Sequence, residues 1–355
     1  MHAEARSGHD NESDSHVVGL RLRPFNKHQA LWRELVSASG EATLFHRDSW
    51  IQLLARAYSL SLWIATLNKK GKIAAGCLFA RAPLSRRFIA LPFSDACAPL
   101  ALNSEAVGPL LNALTVRGEP PCSYEIRGIS GIAPWLTVEC FVNWRLYLDS
   151  SLRRVEQRLA PNFRRNLRRA SRHAISVEHG SSIELLKRFY AMQLRSRRRL
   201  GLPPQPWRFF KIAQEIFAAE GNFEVWTACI GGTDVASAVF LRDGDVMHYK
   251  WGARRADDES SANHLLFWNA IEEFSSTGRV LDLGRTDVGN QGLMRFKREI
   301  GACATPLPSA FYPRAPRRVS AEALTGGFAI AAKVWRRMPV FATALAGRLV
   351  YRYLM

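Results

Sequence analysis

The chain has 355 residues, of which 47% are hydrophobic and 23% charged, and its formal net charge is +18. This length suits two domains, each able to bury its own core, and the composition is that of a folded globular chain rather than a disordered or fibrous one. No stretch reaches the run of about 20 apolar residues that a membrane-crossing helix needs.

The positive charge is localised. Residues 151–211 hold 16 basic and 3 acidic side chains, and residues 313–355 hold 8 and 1. A general nucleic-acid coat spreads its charge; this distribution points to an anion-binding face and a basic tail.

In chain order, residues 1–16 are polar, carry no apolar h-region and read as a disordered leader rather than a signal peptide. A strand is expected over 17–24, then helices over 26–39 and 47–58, the second placing Trp50, Leu53, Leu54 and Ala57 on one face. Apolar runs on either side of Lys69-Lys70-Gly71 predict an antiparallel hairpin, and 124–129 and 137–149 are β-rich. The order then repeats. A helical region covers 152–172, broken near Pro161, followed by a strand over 174–180 and helices over 182–200 and 207–219. Strands follow at 223–230, 235–242 and 246–253, then a helix over 262–277 and a strand over 280–284. The tail repeats apolar residues at helical spacing from Phe328 to Leu349, with Pro339 as a kink. It suits either an anionic membrane surface or docking on the protein body.

Six cysteines are scattered without a C-x-x-C pair, and the histidines lack metal-ligand spacing. This argues for free thiols in a reducing cytoplasm and against a metal site. Neither a G-x-S-x-G elbow nor a G-x-x-x-x-G-K loop is present, which removes the serine-hydrolase and P-loop readings. Residues 153–172 hold eight arginines around an apolar stripe. They form either a solvated basic face or, through Arg165 and Arg168, a contact for an anionic partner. No aromatic residues interleave with them as base-stacking platforms, so sequence-specific nucleic-acid binding is not expected.

The most informative segment is VLDLGRTDVGNQGLMRFKREIGA, from Val280 onward. A strand ends in Asp282-Leu283-Gly284-Arg285, a glycine-containing loop follows, and a short helix carries Phe296 and Lys297. Strand ends with glycine turns let backbone approach a ligand closely. With what precedes it, the segment resembles the acyltransferases of the GNAT superfamily, and the acyl transfer to an amine that this resemblance implies needs a base, an oxyanion donor and a proton for the leaving group. Asp282 is the candidate base, Tyr249 the proton donor, and Arg285 and Lys297 the binders of a carboxylate or phosphate. The other reading of Asp282 is structural, as the ion-pair partner of Arg285 or a cap of the loop. Ser260, Ser261 and Asn263 open the helix at 262–277 and serve either as a cap or as an anion site for a donor's phosphates. The three acids at 257–259 would repel such a phosphate.

Together with Phe45–Trp50, Phe163–Ala170, Arg198–Pro203, the helix opening at Trp207 and Tyr249–Ala253, this segment resembles the FemAB-type acyltransferases of the GNAT superfamily over residues 20–312. The resemblance implies an α/β chain of two tandem GNAT-like domains, at 17–150 and 151–312, with mixed, largely antiparallel sheets and an amphipathic tail at 313–355. It also implies N-acyl transfer to an amine of a cell-envelope or exopolysaccharide precursor, with Trp251 among the substrate-binding residues. The glycine turn that holds the coenzyme A pyrophosphate in typical GNAT enzymes is replaced here by Arg254–Asn263. The donor is thus left open between acyl-CoA and aminoacyl-tRNA, and a non-catalytic membrane-peripheral adaptor is the alternative.

Overall fold

The computed structural model describes residues 19–69, 72–83, 85–117, 122–315 and 327–355. The expected leader and the turn residues Lys70 and Gly71 lie outside them.

Two mixed sheets organise the chain. The first is built from β1 (Gly19–Pro24), β2 (Ser61–Lys69), β3 (Lys72–Arg81), β4 (Arg87–Ala90), β5 (Leu100–Ala101), β6 (Ser123–Arg127), β7 (Leu136–Val138) and β15 (Ser309–Tyr312), in the order β1-β2-β3-β4-β6-β15-β7, with β5 on β3. The second is built from β8 (Phe141–Tyr147), β9 (Ile175–Gly180), β10 (Phe223–Ile230), β11 (Thr233–Asp243), β12 (Val246–Arg254), β13 (Val280–Asp287) and β14 (Cys303–Pro306), in the order β14-β8-β13-β12-β11-β10-β9. Both sheets carry one parallel pair, β4 with β6 and β12 with β13, at the same place in an otherwise antiparallel order. The duplication is therefore topological, and it extends to the helices. Helices α1 (Gln29–Ala38) and α2 (Asp48–Tyr58) precede β2 as α6 (Ile183–Leu200) and α7 (Trp207–Ala219) precede β10. Helix α3 (Val107–Arg117) precedes β6 as α8 (Ala262–Thr277) precedes β13.

The two halves exchange strands across residue 150. Strand β8 lies between β13 and β14 of the second sheet, while β15, from beyond residue 306, lies between β6 and β7 of the first. The basic region breaks before Pro161 into α4 (Leu152–Arg158) and α5 (Pro161–Ala170), as expected of a residue that cannot continue a helix. Helix α9 (Gln291–Glu299) carries Lys297. The tail folds as α10 (Gly327–Arg337) and α11 (Val340–Val350), parted at Pro339.

One core spans both halves. Trp50, Leu53 and Leu54 of α2 pack in the same cluster as Phe209 and Phe210 of α7 and Trp251 of β12, with the rings of Trp50 and Trp251 stacked at 6.4 Å. Arg47 pairs with Asp243 at 3.0 Å and Arg56 with Glu215 at 2.9 Å across the same seam. Because the apolar seam and the exchanged strands tie the halves together, Trp50→Ala should remove about 3–5 kcal/mol from the whole chain. Urea unfolding followed by circular dichroism should stay a single transition in both proteins. A split into two transitions in the wild type would show that the halves are independent.

Candidate active site

Strands β12 and β13 run parallel over three residue pairs only, Val246–His248 against Val280–Asp282, and then part. Two bulges drive them apart. In β12 the register slips against β11 so that Trp251 faces Val239 and Tyr249 faces Phe240, leaving Lys250 as the extra residue. In β13 the slip against β8 falls between Asp282 and Gly284, where Gly284 takes φ +71°. Beyond these points each strand stays paired to another strand on its outer side alone, so the facing edges of the wedge between them share no ladder hydrogen bonds.

Gly284 is the junction of the wedge. Its N–H donates to Asp282 Oδ1 at 2.8 Å, and its carbonyl accepts from Lys297 Nζ at 2.9 Å. A Cβ at this position would lie 3.1 Å from Asp95 Oδ2. Glycine is thus required here both by its backbone angle and by the approach of a carboxylate from the other half. Asp95, in the loop after β4, pairs with the buried Lys250 at 2.8 Å. Burial alone would raise its pKa, but Lys250, Arg285 and Lys297 outweigh it and hold the carboxyl at about 2.

Lys297 is buried at 2% exposure and donates also to Thr286 Oγ1 at 2.8 Å and to the Arg285 carbonyl at 3.3 Å. Desolvation pushes its pKa down to about 7, against an upward pull from Asp95 and Asp282. The guanidinium of Arg285 lies 4.4 Å over the Phe141 ring, and burial together with nearby Arg127 lowers it to about 10. The neighbouring acids are taken by other cations: Asp95 by Lys250, and Glu125 by Arg87 and Arg127. Among the described residues, Arg285 makes no ion pair, which leaves it able to take an incoming anion.

The structure brings together three of the residues singled out from the sequence, Asp282, Arg285 and Lys297. Asp282 is engaged on both oxygens: Asn143 donates to Oδ2 at 3.1 Å, Arg145 at 3.2 Å, and the Gly284 N–H to Oδ1. Its ion-pair partner is Arg145 of β8 rather than Arg285, and the arrangement fixes the strand end more than it presents a base. Tyr249 lies on the face toward α8, its ring against Phe240 and Phe267, with burial raising its hydroxyl to about 12. Its hydroxyl occupies the space where a side chain on Gly252 would sit. Trp251 faces the opposite way, into the core with Phe209 and Phe210.

Arg165 and Arg168 are exposed on α5, which packs on α8 and, through Phe163 against Phe296, on α9. Ser260 Oγ accepts from the Ala262 N–H, and Ser261 stands at the N-cap position with φ +67°. Asn263 lies in the first turn of α8. Of the acids before this helix, Asp257 pairs with Arg255 and Glu259 with Arg169 at 3.8 Å, while Asp258 accepts from Ser260.

Asp95 and Lys250 were not singled out as site residues. Lys250 carried one sequence signal, a lysine between two aromatic residues within an apolar strand. Asp95, alone in FSDACAP, is brought to Gly284 only by the contact between the halves.

This wedge between two parallel strands in a duplicated α/β architecture defines a chain of two tandem GNAT-like domains, FemAB-like in fold. Residues 161–298 match the acetyltransferase (GNAT) domain family. No protein of curated function matches the sequence. Among solved structures the chain is similar to FemX (12% identity, TM-score 0.57), covering 82% of this chain and 96% of that one. It is similar also to the C-terminal domain of a putative lysylphosphatidylglycerol synthetase from Agrobacterium fabrum (14%, TM-score 0.54, covering 85% and 95%). A third likeness is to a tandem GNAT protein of the clavulanic acid biosynthesis pathway (8%, TM-score 0.52, covering 84% and 100%). These likenesses show the fold, and the family match places a GNAT domain over residues 161–298.

Two outcomes follow from the junction. Gly284→Ala should destabilise the chain by about 1–3 kcal/mol, through the positive φ and the crowding of Asp95, measured by chemical denaturation. The second concerns Lys297, whose folded value near 7 lies below its ordinary 10.5. Between these values the unfolded chain binds the extra proton, so stability should rise with pH from about 7 upward, by on the order of 1 kcal/mol per unit. Below 7 both states are protonated and this dependence vanishes. Denaturation across this range should show the rise in the wild type and its absence in Lys297→Met.

Proposed function

We propose that the chain transfers an acyl or aminoacyl group to an amine. The observation that carries this is the wedge between β12 and β13, with Arg285 and Lys297 at its apex. An extended acyl-bearing arm can add to the free edges of two splayed strands by backbone hydrogen bonds. The amine attacks the acyl carbonyl, the bond to the carrier breaks, and the proton leaves the new ammonium. Arg285 binds the carboxylate or phosphate of a reactant, or the developing oxyanion. Lys297 spends its N–H groups on the Gly284 and Arg285 carbonyls and the Thr286 hydroxyl, so it braces the apex, and the amine proton passes to solvent. Tyr249 keeps its own proton well above neutral pH, as a donor to the leaving group must, while Asp282 positions the strand end.

The donor's phosphates would lie at the N-terminus of α8, at Ser260, Ser261 and Asn263, with the α5 arginines Arg165 and Arg168 beside them. The pairing of Asp257 with Arg255, and of Glu259 with Arg169 at 3.8 Å, supports this by lowering the local repulsion. For the acceptor we infer an amine-bearing precursor of the cell envelope or of an extracellular polysaccharide, handled at the cytoplasmic face. One structural neighbour is named for lysylphosphatidylglycerol synthesis, which supports the envelope class.

The test is calorimetric titration with acetyl-CoA, longer acyl-CoAs, free coenzyme A and an aminoacyl-tRNA. One-site binding to one donor class is expected, weakened by about tenfold to a hundredfold in Arg285→Ala, as for a lost charged hydrogen bond. The second reading, a non-catalytic adaptor, is favoured by the full engagement of Asp282 and Lys297 in structural bonds. It would be the conclusion if no donor bound.

A further inference from the structure

The tail helices dock on the body with an inverted polarity. Helix α11 turns its small residues inward: Thr343 and Gly347 are buried, and a Cβ on Gly347 would lie 2.5 Å from the Pro204 carbonyl oxygen. Helix α10 is seated as closely, since a Cβ on Gly201 at the end of α6 would lie 2.8 Å from that of Ala332. Arg198 Nε donates to the Arg336 carbonyl at 3.3 Å and ties the same corner. The large apolar side chains of α11 therefore point away from the protein. Phe341, Leu345 and Leu349, one turn apart along a single stripe, are 77%, 61% and 63% exposed. Single exposed apolar residues are ordinary, but a row of three on a helix docked by its small face is an interaction surface.

The flanks of that stripe decide its partner. Arg348 and Arg352 beside it in sequence, and Lys333, Arg336 and Arg337 at the end of α10 leading into it, are exposed, and residues 327–355 contain no Asp or Glu. A second copy of the chain placed there by two-fold symmetry would set this cationic surface against itself. An apolar stripe within a cationic border, on a helix lying along the surface, matches the headgroup and upper acyl region of an anionic bilayer. We propose that α11 lies in the plane of an anionic membrane, with Phe341, Leu345 and Leu349 inserted and Arg336, Arg337 and Arg348 on lipid phosphates. The docking of α10 and α11 on α6 then holds the body against that membrane. This surface is argued without the acyl-transfer reading and stands or falls separately from it.

The experiment is co-sedimentation of the full chain with vesicles of phosphatidylcholine alone and of phosphatidylcholine with phosphatidylglycerol. Binding is expected to the mixed vesicles and to fall with salt. The variant Phe341→Ser/Leu345→Ser/Leu349→Ser should bind at least about a hundredfold more weakly, since three apolar side chains no longer enter the bilayer. Its thermal unfolding should be unchanged, because the three side chains touch little of the protein. Arg336→Gln/Arg337→Gln/Arg348→Gln should lose about a hundredfold on mixed vesicles, at roughly 1 kcal/mol per cation. A wild type that stays in the supernatant with mixed vesicles overturns the proposal, as does a triple serine variant that sediments with them undiminished. So does light scattering that finds a wild-type dimer which the serine variant dissolves, for then a second copy covers the stripe. Donor titrations on the serine variant should match the wild type, keeping this result apart from the catalytic one.

Discussion

The parting of β12 from β13 is the constraint on which the rest of the molecule turns. Two strands paired over three residues and then splayed lose the ladder between them, so other groups must take up the backbone and hold the wedge open. Here a buried ammonium does so. Lys297 fastens the carbonyls of Gly284 and Arg285 and the hydroxyl of Thr286, so the kinked strand end is braced from inside the protein. Burying that charge is costly, which is why its proton is held weakly and why Asp95 and Asp282 stand nearby.

The second consequence is that the site belongs to both halves. Asp95 follows β4 of the first sheet, Lys250 extends from the bulge of β12 in the second, and they meet at Gly284. Strand exchange serves the same end. Phe141 of β8, carried by the chain just before the second half, lies under Arg285, and Asn143 and Arg145 of that strand hold Asp282. A GNAT-like sheet without its borrowed strand would lack the partners that orient its own site residues. The candidate site at the wedge is thus a composite of both halves.

The excess positive charge separates into distinct uses. Part of it neutralises acids beside α8, where Arg255 and Arg169 meet Asp257 and Glu259. Part is buried at the wedge, balanced by Asp95, Glu125 and Asp282. A third share borders the outward apolar stripe of α11. Net charge read along a chain therefore says little until the pairing is known, because a paired arginine and a free one contribute equally to the sum and very differently to a ligand.

Much of the secondary structure was legible from local pattern. The helices over 182–200 and 207–219, the strands from 223 to 253 and the breaks at Pro161 and Pro339 follow from periodicity and from proline's missing N–H, which act within a few residues. The importance of the Asp282–Lys297 segment was legible as well, because a glycine after an apolar strand and a lysine on the next helix are sequence-local signals. What the tertiary structure alone decided was partnership. Arg145 rather than Arg285 holds Asp282, Asp95 arrives from far along the chain, Trp251 turns to the core, and α11 docks by its small face with its large residues outward. Side-chain period fixes which residues share a face. Which face meets another part of the chain depends on packing and charge compensation between segments far apart in sequence, and no local pattern encodes that choice.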